Sequence, residues 1–174
     1  MHIDVALARI CVAAALLPGL AAQTTLPPGE SRHEVSFGDR SSTVIVHVPA
    51  GLDAPVPLVL GLHGWFGSGA GFCASTRMGE HVDAMGFIGV CATGDGSSGE
   101  NSWNAAGCCG SAVTQDVDDV GFLRAVVGWV DERAELTEKY TLGHSNGAMM
   151  AYVLPPCLLG GVRCCCRVGL DTGS

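Results

Sequence analysis

The chain has 174 residues, which is room for one domain at about 100–200 residues per domain. With 48% hydrophobic and 15% charged residues it can build a core, so the composition is not that of a disordered chain. The formal net charge of −8 and the pI near 5.0 make a surface that repels phosphate backbones, which argues against a nucleic-acid partner.

Residues 1–22 read as a secretory signal. His2, Asp4 and Arg9 form a weak polar start, and Ile10 to Ala22 is apolar, ending in Gly19-Leu20-Ala21-Ala22. Small residues there suit cleavage after Ala21 or Ala22. The rival reading is a membrane anchor, but the run falls short of the ~20 residues a span needs and is broken by Pro18-Gly19. The expectation is an extracellular protein with no stable membrane association after cleavage. Of nine cysteines, Cys11 would leave with the signal. The other eight are an even number, as disulfides in an oxidising compartment require. No two have the C-x-x-C spacing that lets a pair of thiolates grip one zinc ion, so no metal is expected.

Residues 23–32 read as an exposed lead-in, and a domain is expected over 33–154. Ser42–Val48 is β-branched and reads as a strand; Pro57–Leu62 and Phe87–Ala92 read as strands buried on both faces. A glycine-rich loop, 63–69, follows the second of these. Phe72–Met85 is predicted helical, with Gly86 as its stop. Thr93–Gly110 is a long loop. Gln115–Glu135 carries apolar residues at 117, 120, 123, 127 and 130, which is helical spacing. Lys139–Leu142 is a short strand and Asn146–Leu154 a helix, stopped by Pro155-Pro156. Alternating strands and helices predict an α/β fold with a mostly parallel sheet and helices on both faces.

Gly143-His144-Ser145-Asn146-Gly147 is a Gly-x-Ser-x-Gly match. Such a match alone is weak evidence, but this one lies between a predicted strand and a predicted helix. A turn that tight needs glycine beside the serine and lifts its hydroxyl above the sheet. Ser145 is therefore the candidate nucleophile, with Gly143 and Gly147 as the glycines of the elbow. An oxyanion needs two N–H donors, one after the nucleophile and one from the loop after an earlier strand. Those donors are expected at Asn146 and in the Gly64–Trp65 region. His63 reads as a structural histidine that braces this loop. Asp116, Asp118 and Asp119 read as helix capping and loop support rather than a cation site. Trp103 reads equally as a groove wall or as packing.

Leu62-His63-Gly64, Asn101-Ser102-Trp103-Asn104, Gly107-Cys108-Cys109-Gly110, Val117-Asp118-Asp119-Val120-Gly121-Phe122 and Gly143 to Met150 together resemble the secreted polyhydroxybutyrate depolymerase and feruloyl esterase group of the α/β-hydrolases. The resemblance runs from about Ser31 to Val153. It implies hydrolysis of carboxylic esters outside the cell, on a polyester or on feruloylated polysaccharide, with no metal and no organic cofactor. The acidic and cysteine blocks argue against a hydrolase of the dipeptidyl-peptidase type. Cys108 and Cys109 are adjacent and can hardly bridge each other without strain. Each is expected to pair elsewhere, with Cys73 and Cys91 the nearest candidates.

The chain departs from the pattern after the elbow. The triad order in this fold is Ser, then Asp or Glu, then His. After Ser145 there is no histidine, and the only acid is Asp171. His144 should leave the turn in another direction, His63 as base would break the layout, and His47 reads as an ordinary strand residue. Residues 155–174, with Cys164-Cys165-Cys166 beside arginines, do not match. They read as the product of a truncated or frame-shifted gene, or as a genuine short isoform. The expectation is the N-terminal part of a hydrolase sheet, truncated after the elbow with a bare last strand, and without turnover. The alternative is a non-catalytic secreted half-domain that binds a polymer or a partner.

Overall fold

The structure, a computed structural model, describes residues 24–52 and 55–154. The expected signal sequence and the tail from 155 lie outside the described residues. Five strands form one sheet: β1 (Gly29–Phe37), β2 (Arg40–Val48), β3 (Val56–Leu62), β4 (Ile88–Ala92) and β5 (Leu136–Gly143), in the order β1-β2-β4-β3-β5. β2 runs antiparallel to both neighbours, while β3 pairs parallel with β4 and with β5. Four strands therefore point one way and only β2 is reversed. Among the described residues β5 is the last strand on its side of the sheet.

Strand alternation sorts the core into two layers. Val44, Val46, Leu58, Leu60, Leu62, Ile88 and Val90 share one layer with helices α4 (Asp119–Asp131) and α5 (Asn146–Val153). Ile45, Val59 and Cys91 face the other way, against α1 (Gly69–Ser75) and α2 (Met78–Met85). Phe122, Leu123, Val126 and Val130 of α4 are fully buried. At about 1.5–3 kcal/mol for each such side chain, α4 alone contributes much of the adhesion of its layer.

Several expectations change in detail. The helix read over Phe72–Met85 is two, broken where Arg77 adopts a left-handed conformation (φ 50°, ψ 44°). The apolar face of Phe72, Cys73, Met78 and Val82 continues across the break, so periodicity did not reveal it. The helix read from Gln115 begins at Asp119, with a short α3 (Gly110–Thr114) before it. β1 takes up Gly29–Arg32 of the segment read as an exposed lead-in, and Leu26 before it is buried. β1 buries only Val35, which explains its faint signal.

The cysteine pairing needs correction. Cys73 and Cys91 are bonded to each other, with Cα atoms 5.9 Å apart, because α1 packs directly on β4. Cys108 and Cys109 are bonded to each other, across a cis peptide, and not to Cys73 or Cys91.

Candidate active site

Leu62 pairs with both Ala92 and Gly143, so β3, β4 and β5 end side by side. The loops that follow them form one surface at the carboxyl ends of the parallel strands, where ligands bind in open α/β sheets.

Ser145 sits between β5 and α5 with φ 51° and ψ −120°. A left-handed φ at a residue other than glycine costs about 1–3 kcal/mol and persists only when neighbours over-determine it. The neighbours do so here. A Cβ on Gly143 would collide with the backbone of Gly147 and Ala148. One on Gly147 would collide with the carbonyls of Leu62 and His63. Ser145 is exposed, and its hydroxyl has no hydrogen-bond partner among the described residues.

Gly64 lies against this turn, since a Cβ added there would be 3.3 Å from the Ser145 Cβ and 3.0 Å from His144 Nδ1. The backbone N–H groups of Trp65 and Asn146 make no hydrogen bond among the described residues. The next N–H groups are engaged: Phe66 donates to the Asn101 carbonyl (2.9 Å) and Gly67 to that of Gly64 (2.9 Å). The loop is thus fixed while two donors beside the serine stay open. Trp65 and Phe66 stack at 4.8 Å between ring centroids, and both are exposed (43% and 65%).

His63 is buried, and both its nitrogens are used. Nε2 accepts the Gly94 N–H at 2.8 Å, so Nδ1 carries the proton and donates to the Gly64 carbonyl at 2.6 Å. Burial holds the imidazole below its ordinary pKa; the Gly64 carbonyl opposes this, and Arg40 adds to it. A ring so tied is neutral and braces the β3 and β4 loops against each other. It offers no lone pair to Ser145. His144 is exposed and makes no hydrogen bond to Ser145.

Asn146 does more than its backbone suggested. Its side chain is fully buried, accepts the Trp103 N–H, and donates to the carbonyls of Trp103 and Cys108 (2.7 Å to the latter). Trp103 is packing rather than a groove wall: it is fully buried and its indole N–H donates to the His63 carbonyl at 2.9 Å. The acidic block divides its work. Asp118 caps α4 through the Gly121 N–H, Asp116 accepts from the Asn104 side chain, and Asp119 holds the Asn104 N–H and Arg40. Sequence reasoning missed the Asn146 clamp and the Arg40 partner, because both join segments distant in the chain. A groove of about 880 Å³ lies beside the β1–β2 hairpin and the loop after β4, and neither Ser145 nor Asn146 borders it.

No protein-family model matches the chain, and no curated protein does. Solved structures do. An acetyl xylan esterase from Aspergillus awamori superposes with a TM-score of 0.56 at 22% identity, covering 76% of this chain and 50% of that one. A dienelactone hydrolase-like promiscuous phosphotriesterase from metagenomic libraries gives 0.54 at 16% identity, covering 76% and 55%. A proline iminopeptidase from Mycobacterium smegmatis gives 0.53 at 21%, covering 76% and 41%. This chain has part of an α/β-hydrolase fold. It spans about half the length of the hydrolases it superposes on. Within that α/β-hydrolase frame, Ser145 occupies the strand-to-helix turn after β5, and Gly64–Trp65 the loop after β3.

Proposed function

We propose that this chain carries the nucleophile half of a secreted serine ester hydrolase. The observation that carries the reading is the Ser145 elbow: an exposed hydroxyl on a left-handed turn, beside the open N–H groups of Asn146 and Trp65. In this reading the Ser145 oxygen attacks the ester carbonyl carbon and a base takes its proton. The two N–H groups hold the oxyanion, the alcohol leaves with a proton from the base, and water releases the acid. Gly64 leaves room for the carbonyl, and Trp65 and Phe66 give the substrate an apolar face. The resemblance of the sequence motifs supports an ester carried on a polymer, a polyhydroxybutyrate-like polyester or feruloylated polysaccharide. The Cys73–Cys91 disulfide supports an extracellular setting.

The base is the missing part. Among the described residues no histidine is hydrogen-bonded to Ser145, and His63 has both nitrogens engaged. The chain by itself is therefore inactive, or nearly so. Added imidazole can stand in for an absent histidine. Turnover of a small aryl ester should match Ser145→Ala without imidazole, and rise above it as imidazole is added. Equal rates for wild type and Ser145→Ala at every imidazole concentration would sink the enzyme reading. They would favour the second one, a secreted half-domain that binds a polymer or partner without turnover.

A further inference from the structure

The two open donors beside Ser145, the N–H groups of Asn146 and Trp65, belong to residues that both touch one short segment, Cys108-Cys109-Gly110. The Cys108 carbonyl accepts from the Asn146 side chain at 2.7 Å. Cys109 is the N-cap of α3. The Gly110 backbone lies directly against Trp65: a Cβ added there would be 2.6 Å from the indole Nε1 and 3.1 Å from Cε2. The indole N–H in turn donates to Glu100 at 3.3 Å, farther back in the same loop. One end of the segment thus steadies the residue after Ser145, and the other steadies the loop after β3. The bond between the two sulfurs closes a small ring with the peptide link between the residues, so neither can turn about its backbone independently. Cys108 and Cys109 are half-buried, whereas Cys73 and Cys91 are buried, so a reductant in solution reaches the first pair more readily.

We propose that the Cys108–Cys109 disulfide is a redox switch on these donors: closed, it holds Asn146 and Trp65 in place, and opened by a dithiol it releases both. Its effect on turnover rests on the reading of Ser145 as a nucleophile; the coupling to the two residues does not. The step is thiol–disulfide exchange. A thiolate of the dithiol attacks one of the two sulfurs, the Cys108–Cys109 S–S bond breaks, and a mixed disulfide forms. The second thiolate of the reagent displaces the attached cysteine and closes the reagent's own disulfide. An electron pair and both thiol protons pass from the dithiol to the cysteine sulfurs. With the ring open, Cys108 and Cys109 each regain backbone rotation. The Cys108 carbonyl and the Gly110 backbone then no longer meet Asn146 and Trp65 in one fixed position. In an oxidising compartment the bond stays closed and the donors stay set.

Amide hydrogen exchange on the full chain tests this, with dithiothreitol as the reductant. Alkylation of the freed thiols, read by mass spectrometry, reports which bond has opened. Cys108–Cys109 should open at reductant concentrations that leave Cys73–Cys91 intact. Exchange at 64–66 and 145–147 should then rise several-fold, exchange over Leu123–Val130 of α4 should stay as it was, and reoxidation should restore the starting rates. The Cys108→Ser/Cys109→Ser variant should exchange at the fast rates with or without reductant, which separates this pair from every other cysteine in the chain. Unchanged exchange at 64–66 and 145–147 in the reduced wild type overturns the proposal whether or not the variant folds. A rise of equal size in α4 overturns it too, since the bond then serves stability alone, and so does Cys73–Cys91 opening first. Imidazole-dependent turnover, measured alongside, should fall several-fold on reduction, and turnover that survives reduction unchanged removes the switch from the oxyanion site. Turnover absent in both redox states, with the exchange change present, would sink the esterase reading and leave the coupling standing.

Discussion

Trp103 and Asn146 exchange two hydrogen bonds: the Trp103 N–H donates to Asn146 Oδ1 at 2.8 Å, and Asn146 Nδ2 returns one to the Trp103 carbonyl at 3.0 Å. The residue that follows the candidate nucleophile thereby holds the long loop from 93 to 110. Asn146→Ala would leave the Trp103 N–H without its acceptor and take one of two donors from the Cys108 carbonyl, which keeps the Ala105 N–H. One buried polar group left bare costs about 1–3 kcal/mol and the lost hydrogen bonds to the carbonyls about 1 more, so a loss of about 2–4 kcal/mol is expected. At about 2–4 °C per kcal/mol for a chain of this size, the melting temperature should fall by about 5–15 °C. Asn146→Asp should not rescue it, since a carboxylate cannot donate to the two carbonyls. A melting temperature unchanged in Asn146→Ala would show that the clamp is not formed in solution.

The elbow glycines are fixed by space. A Cβ on Gly147 meets backbone carbonyls that cannot step aside, whereas one on Gly128 in α4 meets nothing within 4 Å. Gly147→Ala should destabilise by about 1–3 kcal/mol, the usual cost of overpacking. It should also abolish any imidazole-dependent turnover at Ser145. Gly128→Ala should stabilise by about 0.4–1 kcal/mol, by restricting the unfolded chain. Chemical denaturation of the two variants decides this, and similar midpoints for both would count against the turn geometry.

His63 gives stability a pH dependence of known sign. Burial depresses its pKa in the folded chain, so the unfolded chain takes up the proton first as pH falls. The His63 contribution is therefore complete above about pH 6.5 and is lost progressively below it, at no more than about 1.4 kcal/mol per pH unit. The loss ends once pH passes below the folded pKa. His63→Gln should be less stable at neutral pH, since the Gly94 and Gly64 contacts loosen, but its stability should fall less steeply under mild acid. Denaturation curves across this range that run parallel for the two proteins would refute the assignment.

The sheet was legible because its strands are dense in β-branched and aliphatic residues, and the elbow because glycine had to flank Ser145. What stayed hidden has physical causes. Strand β1 holds on through backbone pairing to β2 and buries one side chain, so hydrophobicity could not announce it. The break at Arg77 lies in the backbone, while the apolar stripe runs through it unaltered. The bracing of His63 was foreseen from its place after a buried strand. Its two partners, Gly64 and Gly94, sit on different loops and are defined only once β3 and β4 lie in register.

The Arg40–Asp119 pair is the other long-range tie that the sequence concealed, and it yields the largest expected effect. Arg40 joins the β1–β2 hairpin to the start of α4: it bonds Asp119, donates to the Thr93 carbonyl at 3.2 Å, and lies 3.9 Å over the Phe122 ring. Burial raises the Asp119 pKa, and the Asn104 N–H and the guanidinium work against that rise. Asp119→Ala would leave a mostly buried guanidinium without its counter-charge, at about 3–5 kcal/mol. The same variant frees the Asn104 N–H, so the loop beside Trp103 should exchange its amide hydrogens faster. Arg40→Met in the Asp119→Ala background should cost much less than it does alone, since no stranded charge remains. Stability measured round that double-mutant cycle gives the answer: losses that simply add would mean the two side chains do not interact, and the hairpin would have to be held by its backbone pairing alone.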